Sequence, residues 1–566
     1  MAAAPAAELV ELRVLDGPNL YFPRPAIKLT IRVAGWQRAR EDAIARIGEA
    51  LGVRSAAQPG RPGSQHRQRV IGRIGAAYAR RVAIASGARR LAVRSRPGDA
   101  LDLVVVAFPW RRRGAAEALG RATATALGAG VRRAPARVIA ELAPDVRAAD
   151  PGPEPTVPDP TIPVIQVTGT NGKTTTTRLV AHLVMTADRT VAYSSTDGVY
   201  RGTRRIQEGD YSGFGGAAMA LAADPDVAVL ETARGGILLR GIGVRHNDVA
   251  VVTNVSADHL DLQGIHTVDQ LAEVKGLITR ITRPAGWDVL NADDPRVLAM
   301  RRQATGRIWL CSLHAEHPAL REVLADGGRV TTVIDGAIVV IEGRRVRRLA
   351  HLVDVPITLA GISSVNTANA LGAASAALAI GLPWRAVARG LRTFVLDRAR
   401  NPGRANLFEL DGRTVVLDYA HNEAGMRGLT EILRGLRPSG ALIWLTIGTA
   451  GDRTDEILRG FALHAALGSD RLLIGELPRY LRGRSRADVV EQLRAGAALA
   501  GRTDVPVYDD ELRALQASFA ASSPGDVVGV TILSKRDEAF RWLRRRGARP
   551  LAPADVTRLA RRAAAR

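Results

Sequence analysis

The sequence predicts a chain of the α/β class, and three observations support this. Short apolar runs alternate with helical patterns after residue 163, which is typical of doubly wound parallel sheets. A glycine-rich loop at residues 169–172 joins a predicted strand to a predicted helix. A proline-rich stretch sets the N-terminal part of the chain apart. We therefore expect a small α+β domain, then a P-loop domain, then a Rossmann-like α/β domain.

The boundaries follow from these patterns. Residues 144–163 contain seven prolines, which predict an extended segment that cannot join a helix or a central strand. The predicted parts are an N-terminal domain at 1–145, a linker at 146–163, a central domain at 164–397 and a C-terminal domain at 398–566. The predicted strands lie at 163–167, 191–193, 227–230, 249–253, 415–418, 441–447, 471–474 and 527–532. The predicted helices lie at 174–185 and 267–281, with a helix or tail at 558–566.

Composition excludes several classes of protein. A single cysteine, Cys311, excludes an intramolecular disulfide and a cysteine-rich zinc site. No run of about 18 apolar residues could cross a membrane, and residues 1–14 lack the apolar core of a signal peptide. We therefore expect a cytoplasmic protein without a membrane partner. The net charge of +23 raises a nucleic-acid hypothesis, but the arginines are dispersed and no aromatic residues interleave them. A phosphorylated or polyanionic substrate, or a merely basic surface, fits the charge better.

The glycine-rich loop is a candidate nucleotide site. Residues 164–174 read V-I-Q-V-T-G-T-N-G-K-T, although Val167 stands where the usual pattern has a further glycine. Backbone amides of such a loop, and of the helix that follows it, point at a phosphate. Lys173 can reach the β- and γ-phosphates, and the Thr174 hydroxyl can bind Mg²⁺. The predicted nucleotide-binding residues here are Gly169, Thr170, Asn171, Gly172, Lys173, Thr174 and Thr175.

Lysine is rare in this chain. Only Lys28, Lys173, Lys275 and Lys535 occur, against 79 lysines and arginines together. Arginine stays charged and cannot become a neutral amine, whereas lysine can. Positions that keep lysine are therefore candidates for chemistry that arginine cannot perform.

The loop T-G-T-N-G-K-T-T-T resembles the signature of the Mur ligase family, and two further motifs extend the resemblance. A-V-L-E-T-A-R contains Glu231, and T-N-V-S-A-D-H-L-D contains His259 and precedes Lys275. The resemblance implies ATP as substrate and two Mg²⁺ ions, with Thr174, Glu231 and His259 as metal ligands. It also implies that CO₂ carbamylates Lys275. The residues expected to act in catalysis are Lys173, Lys275 and His259.

Motifs in the second half continue the resemblance. They are N-T-A-N-A-L-G-A-A, N-P-G-R-A-N-L, V-L-D-Y-A-H-N-E and G-T-A-G-D-R-T-D. The resemblance implies nucleotide contacts from four residues: Asn366, Arg404, Asp418 and His421. It also implies an acyl-phosphate reaction between a carboxylate substrate and an amino-acid amine. We expect the enzyme to be a homo-oligomer.

Within this family the motifs most resemble those of the cyanophycin synthetases. The shared phrases are E-T-A-R-G-G-I-L, L-N-A-D-D-P and N-P-G-R-A-N-L-F, and R-V-L-D-G-P-N-L-Y in the N-terminal domain. Cyanophycin synthetases carry an ATP-grasp domain between these two parts, where this chain has the proline-rich stretch. The resemblance therefore implies a partner ATP-grasp ligase or a different carboxylate substrate.

Other functions stay open at this point. One is another Mur-type ligase, of the folylpolyglutamate or cell-wall kind, although residues 1–145 do not suggest the matching substrate domain. Another is a nucleotide-dependent binding protein that has lost its chemistry. The intact set of Lys173, Thr174, Glu231, His259 and Lys275 argues against that reading.

Overall fold

A computed structural model describes residues 6–564. Contacts divide the chain into two compact units. Met1–Thr161, Gly213–Ala218 and Ala233–His246 form the first unit, and the rest forms the second. The sequence had placed 213–218 and 233–246 in the central domain, so the first unit is larger than the predicted N-terminal domain. The domain boundaries themselves stay predictions.

The first unit contains one antiparallel sheet in the order β1-β2-β4-β3. Helices α3, α4 and α5 pack together and share a core with the sheet that includes Trp36, Tyr78 and Phe108. Its strands are β1 (Glu8–Leu15), β2 (Ala26–Arg32), β3 (Arg94–Pro97) and β4 (Leu103–Pro109). Its first five helices are α1 (Ala34–Arg38), α2 (Glu41–Leu51), α3 (Gln65–Ala85), α4 (Arg113–Gly128) and α5 (Pro135–Ala148).

The proline-rich stretch differs from its prediction at Pro144. Pro144 lies inside α5, because the helix continues for four more residues and packs against α3 and α4. The stretch after α5 is extended and forms hydrogen bonds with its own unit. Arg113 N donates a hydrogen bond to Pro153 O (3.0 Å), and Arg245 N donates one to Pro158 O (2.8 Å).

The second unit contains two sheets. The central sheet has eleven strands in the order β15-β14-β13-β12-β11-β10-β5-β9-β6-β7-β8. The seven strands from β13 to β6 in that order are parallel, and antiparallel hairpins extend both edges. These strands are β5 (Val164–Thr168), β6 (Val191–Ser195), β7 (Gly198–Arg201), β8 (Arg204–Glu208), β9 (Val227–Glu231), β10 (Asn247–Val252), β11 (Thr282–Asn291), β12 (Arg307–Ser312), β13 (Arg329–Ile334), β14 (Ala337–Glu342) and β15 (Arg345–His351).

The helices of this part of the chain include the predicted ones. The helix predicted at 267–281 ends earlier, at Lys275, and continues as a 3-10 turn at Gly276–Arg280. The helices are α6 (Lys173–Thr186), α7 (Phe214–Ala222), α8 (Arg234–Arg240), α9 (Val268–Lys275), α10 (Pro295–Ala299), α11 (Pro318–Ala325), α12 (Ser364–Ala379) and α13 (Trp384–Thr393).

The C-terminal sheet has seven strands in the order β20-β19-β18-β21-β17-β16-β22, of which the first five are parallel. The strands are β16 (Asn406–Leu410), β17 (Arg413–Asp418), β18 (Ile443–Ile447), β19 (Arg471–Gly475), β20 (Val507–Tyr508), β21 (Val527–Thr531) and β22 (Arg549–Pro550). The helices are α14 (Glu423–Leu436), α15 (Asp455–Gly468), α16 (Arg486–Ala498), α17 (Glu511–Ala521), α18 (Arg536–Arg545) and α19 (Pro553–Ala564). Part of the helix or tail predicted at 558–566 forms α19, and its last two residues lie outside the described range.

The observed architecture confirms the predicted fold class, with two α/β sheets after a small α+β region. Strand β5 lies between β10 and β9, so the chain leaves β5 where the strand order reverses. Ligands of open α/β sheets bind at the carboxyl ends of strands around such a point. No helix within residues 6–564 is long and apolar enough to cross a membrane.

Candidate active site

The glycine-rich loop leaves the carboxyl end of β5 and enters α6 with two glycines in left-handed or strained backbone. Gly169 has φ 151° and Gly172 has φ 84°. A Cβ on Gly169 would lie 1.9 Å from Thr253 Oγ1, and one on Gly172 would lie 2.2 Å from Asn369 Oδ1. Both positions therefore exclude a side chain on steric as well as conformational grounds.

The loop is tied to the strand next to β5. Thr170 N donates to Asn254 O (2.8 Å), and Asn171 N donates to Asn254 Oδ1 (2.9 Å). The half-buried Lys173 ammonium donates to Thr170 O (2.9 Å). Desolvation lowers the pKa of Lys173, and the nearby Glu231 and Asp258 carboxylates oppose that shift. The loop thus holds a half-buried amine at the start of α6, where an anion would be stabilised.

Thr174 and Glu231 meet as the sequence predicted. Thr174 Oγ1 donates to Glu231 Oε2 (2.9 Å) and lies 3.1 Å from Thr196 Oγ1. Glu231 ends β9 and is 2% exposed, and burial raises its pKa while Lys173 opposes the rise. Its Oε1 is buried without a hydrogen-bond partner.

This corner fits a hard cation. Buried acceptors without a partner are rare, and one carboxylate with two hydroxyls matches the oxygen ligands that Mg²⁺ prefers. Within residues 6–564, no three His, Cys, Asp or Glu side chains cluster as a complete metal site.

His259 lies elsewhere in the described structure. It is 40% exposed, its Nδ1 lies 3.3 Å from Asp452 Oδ2, and it makes no hydrogen bond or ion pair with Thr174 or Glu231. His259, Asp261 and Gln263 have backbone φ angles of 49°, 62° and 56°, which are uncommon for residues other than glycine. The arrangement therefore does not join His259 to the Thr174–Glu231 corner.

Lys275 contacts the phosphate loop from the other side. It ends α9, whose start is fixed by a capping box between Thr267 and Gln270. The Lys275 ammonium is buried and donates to Gly169 O (2.6 Å). The two rare lysines, Lys173 and Lys275, thus both bind carbonyl oxygens of the same loop.

Two of the three predicted residues of the C-terminal domain, Arg404 and Asp418, contribute to the site around Thr174. Arg404 stacks over the ring of Tyr419 (4.9 Å) and donates to Thr174 Oγ1 (3.2 Å). Asp418 accepts hydrogen bonds from Ala405 N and Ala420 N, both at 2.8 Å, and burial raises its pKa to about 6. Asp418 therefore orders the loop that carries Arg404.

His421 and Asn366 complete the predicted set. His421 is half-buried, and its Nε2 lies 3.3 Å from Asp258 Oδ2 in the central domain. Asn366 lies in the first turn of α12, where Ser363 is the N-cap, and accepts a hydrogen bond from Asn369 (3.3 Å). Asn369 also accepts from Thr176 (3.3 Å), which links α12 to the helix after the phosphate loop.

The structure adds functional candidates that the sequence reasoning missed. Asp258 is buried and accepts from Asn422 Nδ2 (3.2 Å) besides His421, and Arg453 Nε lies 3.4 Å away. Burial acts to raise the pKa of Asp258, but His421, Arg453 and His259 together hold it well below its usual range. A sequence motif could have indicated Asp258, since this residue is the first of the D-H-L-D motif. Thr196 had no such signal, because it follows a strand without any motif.

A second interdomain cluster surrounds Asp197. Arg178 Nη2 donates to Asp197 Oδ2 (3.1 Å), and Arg536 Nη1 of the C-terminal domain donates to Asp197 Oδ1 (2.8 Å). Arg404, Arg536 and Arg178 lower the pKa of this buried carboxyl against the effect of burial, which raises it. Asp197 follows Thr196 directly, so this ion-pair cluster adjoins the Thr174–Glu231 corner.

Two family models match the chain. The Mur ligase middle domain matches residues 167–377, and the glutamate ligase domain of Mur ligases matches residues 403–531. A cyanophycin synthetase from Crocosphaera subtropica is 37% identical over 65% of this chain and 42% of its own length. The chain thus spans less than half the length of that relative.

More distant relatives share longer fractions of their length. A UDP-N-acetylmuramoyl-L-alanyl-D-glutamate–2,6-diaminopimelate ligase from Alkalilimnicola ehrlichii is 30% identical over 64% of this chain and 70% of its own length. Among solved structures, E. coli FolC in complex with DHPP and ADP superposes with a TM-score of 0.52 at 20% identity. That match covers 69% of this chain and 91% of FolC. The superposition shows a shared fold.

Proposed function

The chain belongs to the Mur ligase family, and on that premise we propose that it is an ATP-dependent ligase joining a carboxylate to an amine. One observation carries the proposal. Glu231 accepts from the Thr174 hydroxyl through Oε2 and keeps its buried Oε1 without a hydrogen-bond partner, and Arg404 of the C-terminal domain donates to the same hydroxyl. The charge of Glu231 also acts on the neighbouring Lys173 ammonium. A site of this kind accommodates a nucleotide phosphate and a cation together.

The reaction that fits the site has two steps. A carboxylate oxygen of the acceptor attacks the γ-phosphorus of ATP, and ADP leaves, which gives an acyl phosphate. The amine nitrogen then attacks the acyl carbon, phosphate leaves, and the nitrogen loses a proton. Both reactants of the first step are anionic, so cationic groups must offset their repulsion.

Different residues of the chain bind the phosphates, the Mg²⁺ ion and the rest of the nucleotide in this proposal. Lys173 binds the β- and γ-phosphate oxygens, and Arg404 approaches them from the opposite side. Thr174 and Glu231 would hold Mg²⁺, which supplies further charge compensation. Asn366, Asp418 and His421 contribute to the nucleotide side of the site, directly or through the loops they order. A second Mg²⁺ at His259 stays part of this proposal.

Lys275 is proposed to react with CO₂ to form a carbamate. Its position in a loop-facing, buried site and the scarcity of lysine in the chain support this assignment. We expect Lys275→Ala to lose turnover and to regain part of it with a small carboxylate. Lys275→Arg keeps a cation but cannot be carbamylated, so it should be inactive and should not respond to bicarbonate.

The acceptor and amine are proposed from the relatives alone. The cyanophycin synthetase likeness favours an acidic, aspartyl-containing acceptor and an amino acid as amine. The acceptor would come from a separate ATP-grasp ligase. We further propose a homo-oligomer, to be tested by mass measurement in solution.

The deciding experiment is ADP release from purified protein with Mg-ATP. Single amino acids are tested against β-aspartyl and poly-aspartate acceptors, with Lys173→Ala as the inactive control. ADP release that requires both an acceptor and an amine would support the ligase. Tight nucleotide binding without release on any pair would instead favour a nucleotide-dependent binding protein.

A further inference from the structure

The far edge of the central sheet carries arginines that the proposed reaction does not use. Between Glu342 and Asp397 the sequence contains seven arginines, and Asp354 is the only carboxylate residue. This stretch includes β15, the last strand at one edge of the sheet, and α13, which packs against it. The two elements therefore share a local excess of positive charge within the second unit.

Helix α13 presents three of these arginines on one face. Arg385, Arg389 and Arg392 follow the i, i+4, i+7 spacing of a helix face, and all three are exposed. Residues 386–388 and 390–391 are buried against the core. The arginine face of α13 is thus its solvent face.

Two contacts join the helix arginines to those of β15. The Arg347 guanidinium of β15 lies 3.9 Å from the ring centroid of Trp384, the first residue of α13. Arg392 Nη2 donates to Leu349 O of β15 (3.5 Å). Arg347, Arg385, Arg389 and Arg392 therefore lie on one surface, named here the β15–α13 surface.

The charges of this surface have no internal counterions. None of its four arginines forms an ion pair with a carboxylate of residues 6–564. Glu342, on the neighbouring strand β14, pairs with Arg329 instead (3.0 Å). The guanidinium groups are therefore free to pair with an external anion.

Two other roles for such arginines fit the surface less well. Charged side chains on an edge strand hinder pairing with other chains, but that role does not explain the stripe on α13. A nucleic acid would use its phosphates, but stacking of its bases needs exposed aromatic rings. Trp384 is the aromatic residue of this surface, and Arg347 occupies a face of its ring. A chain of carboxylates fits better.

We propose that the β15–α13 surface binds an acidic polypeptide. A guanidinium group matches a carboxylate in a two-point hydrogen bond, and a row of them matches successive acidic side chains. The stacking on Trp384 restrains Arg347 before a ligand arrives, which lowers the entropy lost on binding. The surface would anchor an acidic acceptor, and this link to catalysis rests on the proposed function.

The distance to the phosphate loop sets a minimum length for such an acceptor. Strand β15 lies six strands from β5, which leads into that loop. At about 4.8 Å per strand the two are about 30 Å apart, and an extended chain covers about 3.5 Å per residue. An acidic chain therefore needs at least about nine residues to occupy both places at once.

The first test measures binding of fluorescein-labelled poly-aspartate of about 20 residues to the full-length chain by anisotropy at low salt. The variant is the triple substitution Arg347→Gln, Arg385→Gln and Arg392→Gln. The matched control is Arg541→Gln, Arg544→Gln and Arg545→Gln, which removes the same charge from exposed positions of α18. We expect about tenfold weaker binding for the β15–α13 variant and wild-type binding for the control.

A second pair of variants guards against misfolding. Arg385→Glu reverses one charge of the surface, and Arg541→Glu makes the same change on α18 at an equally exposed residue. Arg385→Glu should weaken poly-aspartate binding at least threefold and melt like wild type, whereas Arg541→Glu should alter neither. Equal affinities for these two variants, or for the two triple variants, overturn the proposal. So does displacement of poly-aspartate by a tenfold lower concentration of single-stranded DNA of equal charge, because the site would then be one for nucleic acid.

A second test uses the minimum length and separates this inference from the ligase. With aspartyl acceptors, the KM of wild type should fall at least threefold once the acceptor exceeds about nine residues, with kcat unchanged. The β15–α13 variant should lose this dependence and keep the kcat and KM of a short acceptor. Binding at the surface without ADP release from any acceptor leaves the acidic-polypeptide site standing and overturns the ligase. ADP release with no loss of poly-aspartate binding in the variant supports the ligase and overturns the site.

Discussion

Buried charge is the dominant feature of the site at the scale of single residues. Burial lowers the pKa of Lys173 and raises that of Glu231, so desolvation disfavours the charged form of each group. The two groups offset part of this cost for one another. A bound phosphate and cation would offset more, which is why such a pair is retained where a ligand binds.

The phosphate loop offers a sharp test at Gly172. A methyl group there would collide with Asn369 Oδ1, so Gly172→Ala should weaken AMPPNP binding at least tenfold by calorimetry. Gly440→Ala is the matched control, because Gly440 also has positive φ (76°) but open space around its Cβ position. The control should cost about 1 kcal/mol of folding stability and leave nucleotide affinity unchanged. Equal affinities for the two variants would contradict the steric argument.

Asp288 predicts a pH effect on stability. It is fully buried in β11, accepts from Thr282 Oγ1 (2.6 Å), and burial raises its pKa to about 7. The folded state therefore prefers the protonated form, and stability is lost as pH rises from about 4 to about 7. Asp288→Asn carries no titrating carboxyl at this position, so it should not lose this stability. The free energy of unfolding of the variant in urea, relative to that of wild type, should therefore rise by up to about 4 kcal/mol from pH 4 to pH 7. A constant difference from pH 4 to pH 8 would rule the effect out.

The local pattern of apolar residues explains which strands the sequence predicted and which it missed. The parallel strands around β5 are short apolar runs, and the sequence predicted them within about two residues. The strands β8 and β11 to β15 were missed. Pro284 and Gly286 interrupt β11, and the residues of β8 are all exposed, so neither shows the apolar signal of a strand. Their pairing depends on neighbouring strands in the sheet rather than on their own sequence.

Helix α5 gives a prediction for an element. Pro144 removes the hydrogen bond to the carbonyl of Ala140 and strains the helix, at a cost of about 3 kcal/mol in an ordinary helix interior. Pro144→Ala should raise the melting temperature of the full-length chain, with a gain on the order of 1 kcal/mol once packing is adjusted. Ala149→Pro, just after the helix, is a control without that expected gain. A lower melting temperature for Pro144→Ala would mean that a bend at Pro144 is needed for packing against α3.

The whole-molecule view shows why the site was only partly predictable. The family match confirms the motif resemblance to Mur ligases. The resemblance had assigned the loop, Thr174 and Glu231 to one site, and in the structure the Thr174 hydroxyl donates to Glu231. It did not find the contacts that close the C-terminal domain on the central one. Asp258 and His421 are 163 residues apart, and Asp197 and Arg536 are 339 apart. No local pattern reports such a pairing.

Asp197 tests the closure of the two domains of the second unit. Asp197→Asn removes the charge that Arg178, Arg404 and Arg536 share and leaves the buried Arg178 without a carboxylate. We expect a loss of about 3 kcal/mol in urea unfolding at pH 7. Because the pKa of Asp197 is lowered on folding, this contribution is present above about pH 4 and disappears as the pH falls further. Asp42→Asn, at an exposed pair, should leave the stability close to that of wild type, and an equally small effect of Asp197→Asn would argue against the cluster.

The composition of the first unit has a consequence for biosynthesis. Its sheet and five helices are complete when residue 161 leaves the ribosome, but α8 and its loop follow only at residue 246. At ordinary elongation rates the nascent chain would wait on the order of ten seconds for them. During that interval the amides of Asp16 and Gly17 and the carbonyl of Pro18 lack the partners that Arg240 and Ile242 later provide. The first unit would then reach its final form only after the phosphate loop has already been translated.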